Sequence, residues 1–186
     1  DPPRENAQFL LFLLAVIKAV DEYPELLRIS VASAGNDHRL GGNEAPPAII
    51  SIYLGEELER ILDCIENGKP YSAAKKSELK IGVSVLPPIR KDSTDRNRTS
   101  PFAFTGNKFE FRMVGSAANI SCPNFILNTI VAEELRLFAE ELEGAKDFDA
   151  ALETLMKRTI KEHRRVIFSG NNYSAEWKEE AKRRGL

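Results

Sequence analysis

The stretch Asp95–Ser116, DRNRTSPFAFTGNKFEFRMVGS, decides how the rest of the chain is read. From Lys108 to Val114 apolar and charged residues alternate. Phe109, Phe111 and Met113 fall on one side of an extended segment, and Lys108, Glu110 and Arg112 on the other. Residues two apart on a strand lie about 6.6 Å apart on one face, so that face carries plus, minus, plus. A carboxylate flanked by cations suits a metal-bound polyphosphate, because the acid meets the metal and the cations meet the anionic oxygens. The wet face of a half-buried antiparallel strand has the same pattern, and spacing alone does not choose between the two. Upstream, Asn97-Arg98-Thr99-Ser100-Pro101 is turn-prone, and Pro101 disfavours helix for Ser100, which puts Arg98 on a loop feeding the strand. Further upstream, the glycines and proline of Gly35–Pro46 (GNDHRLGGNEAP) read as a shaped loop without a regular element, holding Arg39 and Glu44.

Composition bounds the possibilities. With 186 residues, 42% of them hydrophobic, the chain can bury the core of one domain. A net charge of −2 gives no global field toward nucleic acid or an acidic membrane, so any anion binding must come from local arrangement. Cys64 and Cys122 are far apart, without CxxC spacing, and read as small buried hydrophobes in a reducing compartment. The Asn-x-Ser/Thr triplets at Asn97, Asn119 and Asn172 are read as coincidental. The apolar run Phe9–Ile17 has the wrong flanks for a signal peptide and is too short to span a bilayer. The chain opens Asp1-Pro2-Pro3 without methionine, which reads as processing or as a piece of a longer protein.

The remaining periodicities predict an α+β fold, a few antiparallel-type strands packed with several helices. Arg4 to Tyr23 is predicted helical, and its middle, Phe9 to Val20, is apolar nearly all round, which demands burial on several sides. A short helix is expected over Glu25–Ser33, a buried strand over Ala48–Leu54, a helix over Glu56–Asn67, an exposed loop over Lys69–Lys80 and a strand over Leu79–Leu86. Pro123–Leu142 places Phe125, Ile130 and Phe138 inward, and Glu133, Glu134, Glu140 and Glu141 outward. Phe148–Arg164 repeats the pattern, with His163 read as an exposed end residue. Ser174–Arg184 closes the chain as an amphipathic helix anchored by Trp177.

Three motifs in order carry a family resemblance. Arg39 to Pro46 matches an arginine, a short glycine-containing loop and then Glu-Ala-Pro. Asn97-Arg98-Thr99 matches Asn-Arg-Ser/Thr, and Lys108-Phe109-Glu110-Phe111-Arg112 matches basic-x-Glu-x-Arg. Together with the wording HRLGGNEAPPAIIS, the chain resembles glutamine synthetase over nearly its whole length, specifically the large bacterial type III. The resemblance implies one fragment of a catalytic domain, with a strand-and-loop site region over about residues 30–120 and a helical region over 123–186. It implies an ATP-dependent glutamate–ammonia ligase working through a γ-glutamyl phosphate, with Mg2+ or Mn2+, in a cytoplasmic homo-oligomer. Glutamate, ammonia and ATP are the expected partners, with no nucleic acid and no membrane.

Carried over by position, Glu44 resembles the flap glutamate that serves the ammonia step, and Arg39 the arginine that holds the substrate carboxylate. Arg98 resembles the arginine on the transferring phosphate, Lys108 a nucleotide-side cation, Glu110 a metal ligand, and Arg112 an arginine near the substrate's side-chain carboxylate. The chain departs from better-known types in a shorter arginine-to-glutamate loop, an insertion between Pro46 and Asn97, and Ala103 where an arginine is usual. The family's remaining metal ligands find no match here, so the chain is expected to be inactive alone. Two other readings stay open: another carboxylate–amine ligase, and a non-catalytic anion-binding or interaction module.

Overall fold

The first helix, α1 (Ala7–Glu22), is the axis of the molecule, whose computed structural model describes residues 6–42, 44–70, 78–79, 89–90 and 100–186. Asn6 starts the helix by accepting a hydrogen bond from the Phe9 amide at 2.9 Å, and it ends at Tyr23, before Pro24. Its seven buried residues face different directions around the barrel of the helix: Leu10, Leu13, Leu14, Ala15, Ile17, Ala19 and Val20. The burial on several sides expected from the sequence is met by α2 (Pro24–Ser30), α5 (Ser121–Glu143) and α6 (Phe148–His163), all of which pack on α1. Each buried Leu or Ile contributes about 1.5–3 kcal/mol. No helix among the described residues is long and apolar enough to cross a bilayer.

Between α2 and α5 the chain builds the parts that carry the site. The sequence predicts no regular element over Gly35–Pro46, but α3 (Ala34–Arg39) is helical. Ser33 caps it by accepting from the Asn36 amide at 3.2 Å; Gly35 lies in its first turn, and Gly41 and Gly42 follow its end. The expected strand over Ala48–Leu54 narrows to β1 (Ile52–Tyr53), followed by α4 (Glu56–Glu66). Strand β2 (Glu78–Leu79) pairs antiparallel with β3 (Ile89–Arg90); the rest of the loop and strand predicted over 69–86 falls largely outside the described residues. Strand β4 (Phe102–Phe104) runs parallel to β1 and antiparallel to β5 (Phe109–Phe111), so the small sheet has one parallel pairing beside its antiparallel one. A tight turn joins β4 and β5, with the Thr105 amide donating to the Lys108 carbonyl at 2.9 Å and Gly106 at φ 95°.

Sheet register sorts the side chains. Phe102 lies opposite Phe111, Phe104 opposite Phe109, and Ile52 beside Phe102, which makes one face aromatic. Phe102 and Phe109 stack at 5.0 Å, and Phe9 of α1 meets Phe104 at 5.9 Å, so this face is the one that docks on the helices. The other face carries Tyr53, Ala103 and Glu110 in a row.

The C-terminal region is helical as predicted, ending in α7 (Ala175–Arg183), where Trp177 stacks on Phe168 at 4.0 Å. Several expectations are corrected. Glu134 is fully buried rather than outward, because Lys18 of α1 meets it across the helix interface. His163 is buried rather than exposed, its Nδ1 2.9 Å from Oδ2 of Asp21, since the last turn of α6 tucks against the end of α1. Phe125 is 59% exposed at the start of α5, where no described element covers it. Cys64 and Cys122 are unpaired and half-buried rather than buried. Asn172 is fully buried, which takes its triplet out of reach of modification in the folded chain.

Candidate functional site

The hub that assembles the site is Asn36, a residue the sequence reading passed over. Its Nδ2 donates to the Val31 carbonyl at 2.7 Å and to the Met113 carbonyl at 2.9 Å, which joins α3 to the segment leaving β5. Its Oδ1 accepts from Arg39 Nε at 2.9 Å, while Arg39 Nη2 donates to the same Met113 carbonyl at 3.0 Å. Arg39 is therefore held by two N–H groups beside the residue that follows Arg112. Gly115 completes the joint: a Cβ there would lie 3.2 Å from Asn36 Oδ1, closer than side-chain atoms comfortably approach. Nothing in the local pattern around Asn36 signals this, because Met113, the partner that makes it a joint, lies far along the chain.

Lys108, Glu110 and Arg112 share one face, as the alternation predicts, and they pair among themselves. Arg112 Nη2 lies 3.1 Å and Nε 3.3 Å from Glu110 Oε2, and Lys108 Nζ lies 3.6 Å from Glu110 Oε1. The Arg112 hydrogen bonds outweigh partial burial and, with Lys108 adding its charge, hold the Glu110 carboxyl below the usual carboxylate range. Arg112 is largely buried and its amide donates to the Pro101 carbonyl at 2.8 Å, whereas Lys108 stands out in solvent.

Glu44 sits on the loop that follows Arg39. A bridge between Leu40 and Ala45 closes the loop at its base, and the Gly41 amide, at φ 85°, donates to the carbonyls of Ala45 (3.2 Å) and Pro46 (3.0 Å). The Glu44 side chain is exposed, and its main-chain carbonyl accepts from the Tyr173 hydroxyl at 3.3 Å. Arg98 lies outside the described residues. The structure thus ties Arg39 to the main chain at Met113, one residue beyond Arg112, and leaves Glu44 on the loop that follows Arg39. Cavities of about 680, 400 and 460 Å3 are lined by other residues and by none of these.

A divalent ion asks for about six oxygen ligands. Glu110 offers one carboxylate already paired with two cations, and no group of three or more His, Cys, Asp or Glu residues is placed to hold a metal among the described residues. On their own these residues do not fit the ion.

Comparison with known proteins bears on the whole chain. The family model for the glutamine synthetase C-terminal domain matches residues 151–186. A type-3 glutamine synthetase of Dictyostelium discoideum is 54% identical over 99% of the chain. The chain belongs to the glutamine synthetase family. Glutamine synthetases of Butyrivibrio fibrisolvens and Bacteroides fragilis are 47% and 45% identical, each over 99% of the chain. The chain spans about a quarter of the length of these curated relatives: 25% of the first and 26% of the other two. The glutamine synthetase segment seen here is the one that carries the arginine loop, the charged strand and the helical end.

Proposed function

We propose that this chain forms the lid-and-cation part of an ATP-dependent glutamate–ammonia ligase, working in the cytoplasm as a homo-oligomer. Residues 30–120 carry the chemistry and residues 123–186 brace it. In such a reaction the γ-phosphoryl group of ATP moves to an oxygen of glutamate's side-chain carboxylate, releasing ADP. Ammonia's lone pair then forms the C–N bond, the C–O bond to phosphate breaks with its electron pair, and the surplus proton on nitrogen goes to a base.

Arg39 suits the substrate carboxylate, because two of its N–H groups are spent inward on Asn36 and Met113 and so fix the plane of the fork. Arg112 and Lys108 supply positive charge beside the substrate's reacting carboxylate and the nucleotide, and Arg98 is assigned to the transferring phosphate. Glu44, exposed on a closed loop, is the base that draws ammonium and takes its proton. Closure of that loop would shield the acyl phosphate from water. A magnesium or manganese ion would polarise the phosphate oxygens, with Glu110 as one ligand; the described residues do not complete its shell.

The observation that supports the reading is the Met113 carbonyl, which receives both Asn36 and Arg39, so that the arginine that opens one motif is tied to the residue next to the other. The self-paired row of Lys108, Glu110 and Arg112 favours a second reading, a module that merely holds anions. Glu44→Ala in the full-length protein separates them. A ligase loses glutamine formation about a hundredfold or more while nucleotide binding stays; unchanged amide formation would overturn the assignment of Glu44.

A further inference from the structure

We infer that Tyr173 is a positioning residue for the Glu44 lid, an inference that rests on the reading of Glu44 as the lid acid. The base of the loop is tied by its own main chain, through Leu40 and Ala45 and through Gly41 to Ala45 and Pro46. The contact that reaches Glu44 itself comes from elsewhere: the Tyr173 hydroxyl donates to the Glu44 carbonyl at 3.3 Å. Since the bond is to the main chain, it bears on where the backbone of Glu44 lies and does not draw on the carboxylate.

Tyr173 is mounted as a fixed point. Its amide donates to Asn171 Oδ1 at 2.9 Å, and the Ser174 amide donates to the Asn171 carbonyl at 3.0 Å. Ser174 Oγ accepts from the Trp177 amide at 3.2 Å, which caps α7, and Trp177 is clamped face to face on Phe168. Between them Asn172 is wholly buried. The backbone of Tyr173 is thus anchored on both sides while its ring stays 37% exposed and reaches across to the loop. An O–H···O separation of 3.3 Å is longer than the usual range of about 2.5–3.0 Å. A contact that weak breaks readily, which suits a lid that must open for substrate and close again.

The chemical consequence is partition of the acyl phosphate. With the lid acid in place, ammonia attacks and glutamine forms; with it displaced, water attacks the same carbonyl and returns glutamate and phosphate. Tyr173→Phe keeps the ring and removes only the hydroxyl. In the full-length protein it is expected to raise the ratio of phosphate released to glutamine formed, and the KM for ammonium, each by roughly threefold to tenfold, the loss of one modest hydrogen bond. The KM for ATP and the thermal unfolding midpoint stay at the parent values. A Phe variant with the parent's product ratio and ammonium KM overturns the inference, as does one that changes only the unfolding midpoint. Glu44→Ala run in parallel keeps the two readings apart: if it stays coupled, the lid assignment itself fails, whereas if it uncouples and Tyr173→Phe does not, only the role of Tyr173 falls.

Discussion

Lys18 between Glu22 and Glu134, and Glu110 between Lys108 and Arg112, are the same device with the signs reversed, one inside the helix packing and one on the face of the sheet. Inside, Glu134 is fully buried, and burial raises its carboxyl above the usual range despite Lys18. Burial works against the charge on Lys18 too, but its two carboxylate partners together push its ammonium above the ordinary lysine value. On the sheet, the arginine dominates and Glu110 stays ionised below its ordinary range. A buried group has no solvent to fall back on, so its partner is fixed by the fold. An exposed group can exchange one partner for another at little cost, which is what a ligand-binding charge needs.

The largest effect should therefore come from the inner triplet. Glu134→Ala leaves Lys18, only 16% exposed, facing α5 without its main partner, and is expected to destabilise the protein by about 3–5 kcal/mol in chemical denaturation. Pairing Lys18→Met with Glu134→Leu should recover most of that loss; if the double variant is as unstable as the single one, the ion pair rather than packing was holding α1 to α5. Next comes the joint between the two regions. Asn36→Ala strands the Val31 carbonyl, leaves the Met113 carbonyl to Arg39 alone and is expected to lose about 1–3 kcal/mol, and in the full-length protein to raise the KM for glutamate, because Arg39 loses its brace. Glu110→Gln should barely move the thermal midpoint, being a surface exchange, yet depress the ligase reaction. A large drop in midpoint would erase the contrast between the triplets.

The smallest effect is one of pH. Glu180 of α7 is drawn down to about 2 from an ordinary 4.5 by hydrogen bonds from Arg183 and Arg184. A lowered folded value means the folded state binds this proton less tightly, so the contribution of these pairs is whole above about 4.5 and is lost as pH falls through about 2. Glu134 has the opposite sign, taking up its proton first in the folded state, so acid costs it nothing. A carbon NMR titration of side-chain carboxyls should show the two midpoints on opposite sides of 4.5; coincident midpoints would mean the inner and outer acids feel the same environment.

The sequence made the helices and the charged strand legible because those signals are local. Leu10 to Val20, Phe109 to Arg112 and the caps Asp147 and Ser174 each act within a few residues. What it hid depends on partners far along the chain. Glu134 has the look of an outward acid until Lys18 faces it, and His163 that of a loose end until Asp21 meets it. Asn36 and Tyr173 sit in polar, turn-like surroundings, and only the fold brings Met113 to one and Glu44 to the other. Helix α3 was hidden for the reverse reason: glycine content argued against it, and a single serine cap was enough to start it.

The outer edge of β1 is sealed by a late arrival. Ile52 bridges to Ile167, and the Phe168 amide donates to the Ile52 carbonyl at 2.9 Å. A ribosome extends a chain by roughly 5–20 residues each second, so that edge leaves the exit tunnel several seconds before its closing segment is made. For that interval the nascent polypeptide carries a bare pairing surface, and the birth of this protein, more than its finished state, is when it is open to mispairing with a neighbour on the same message.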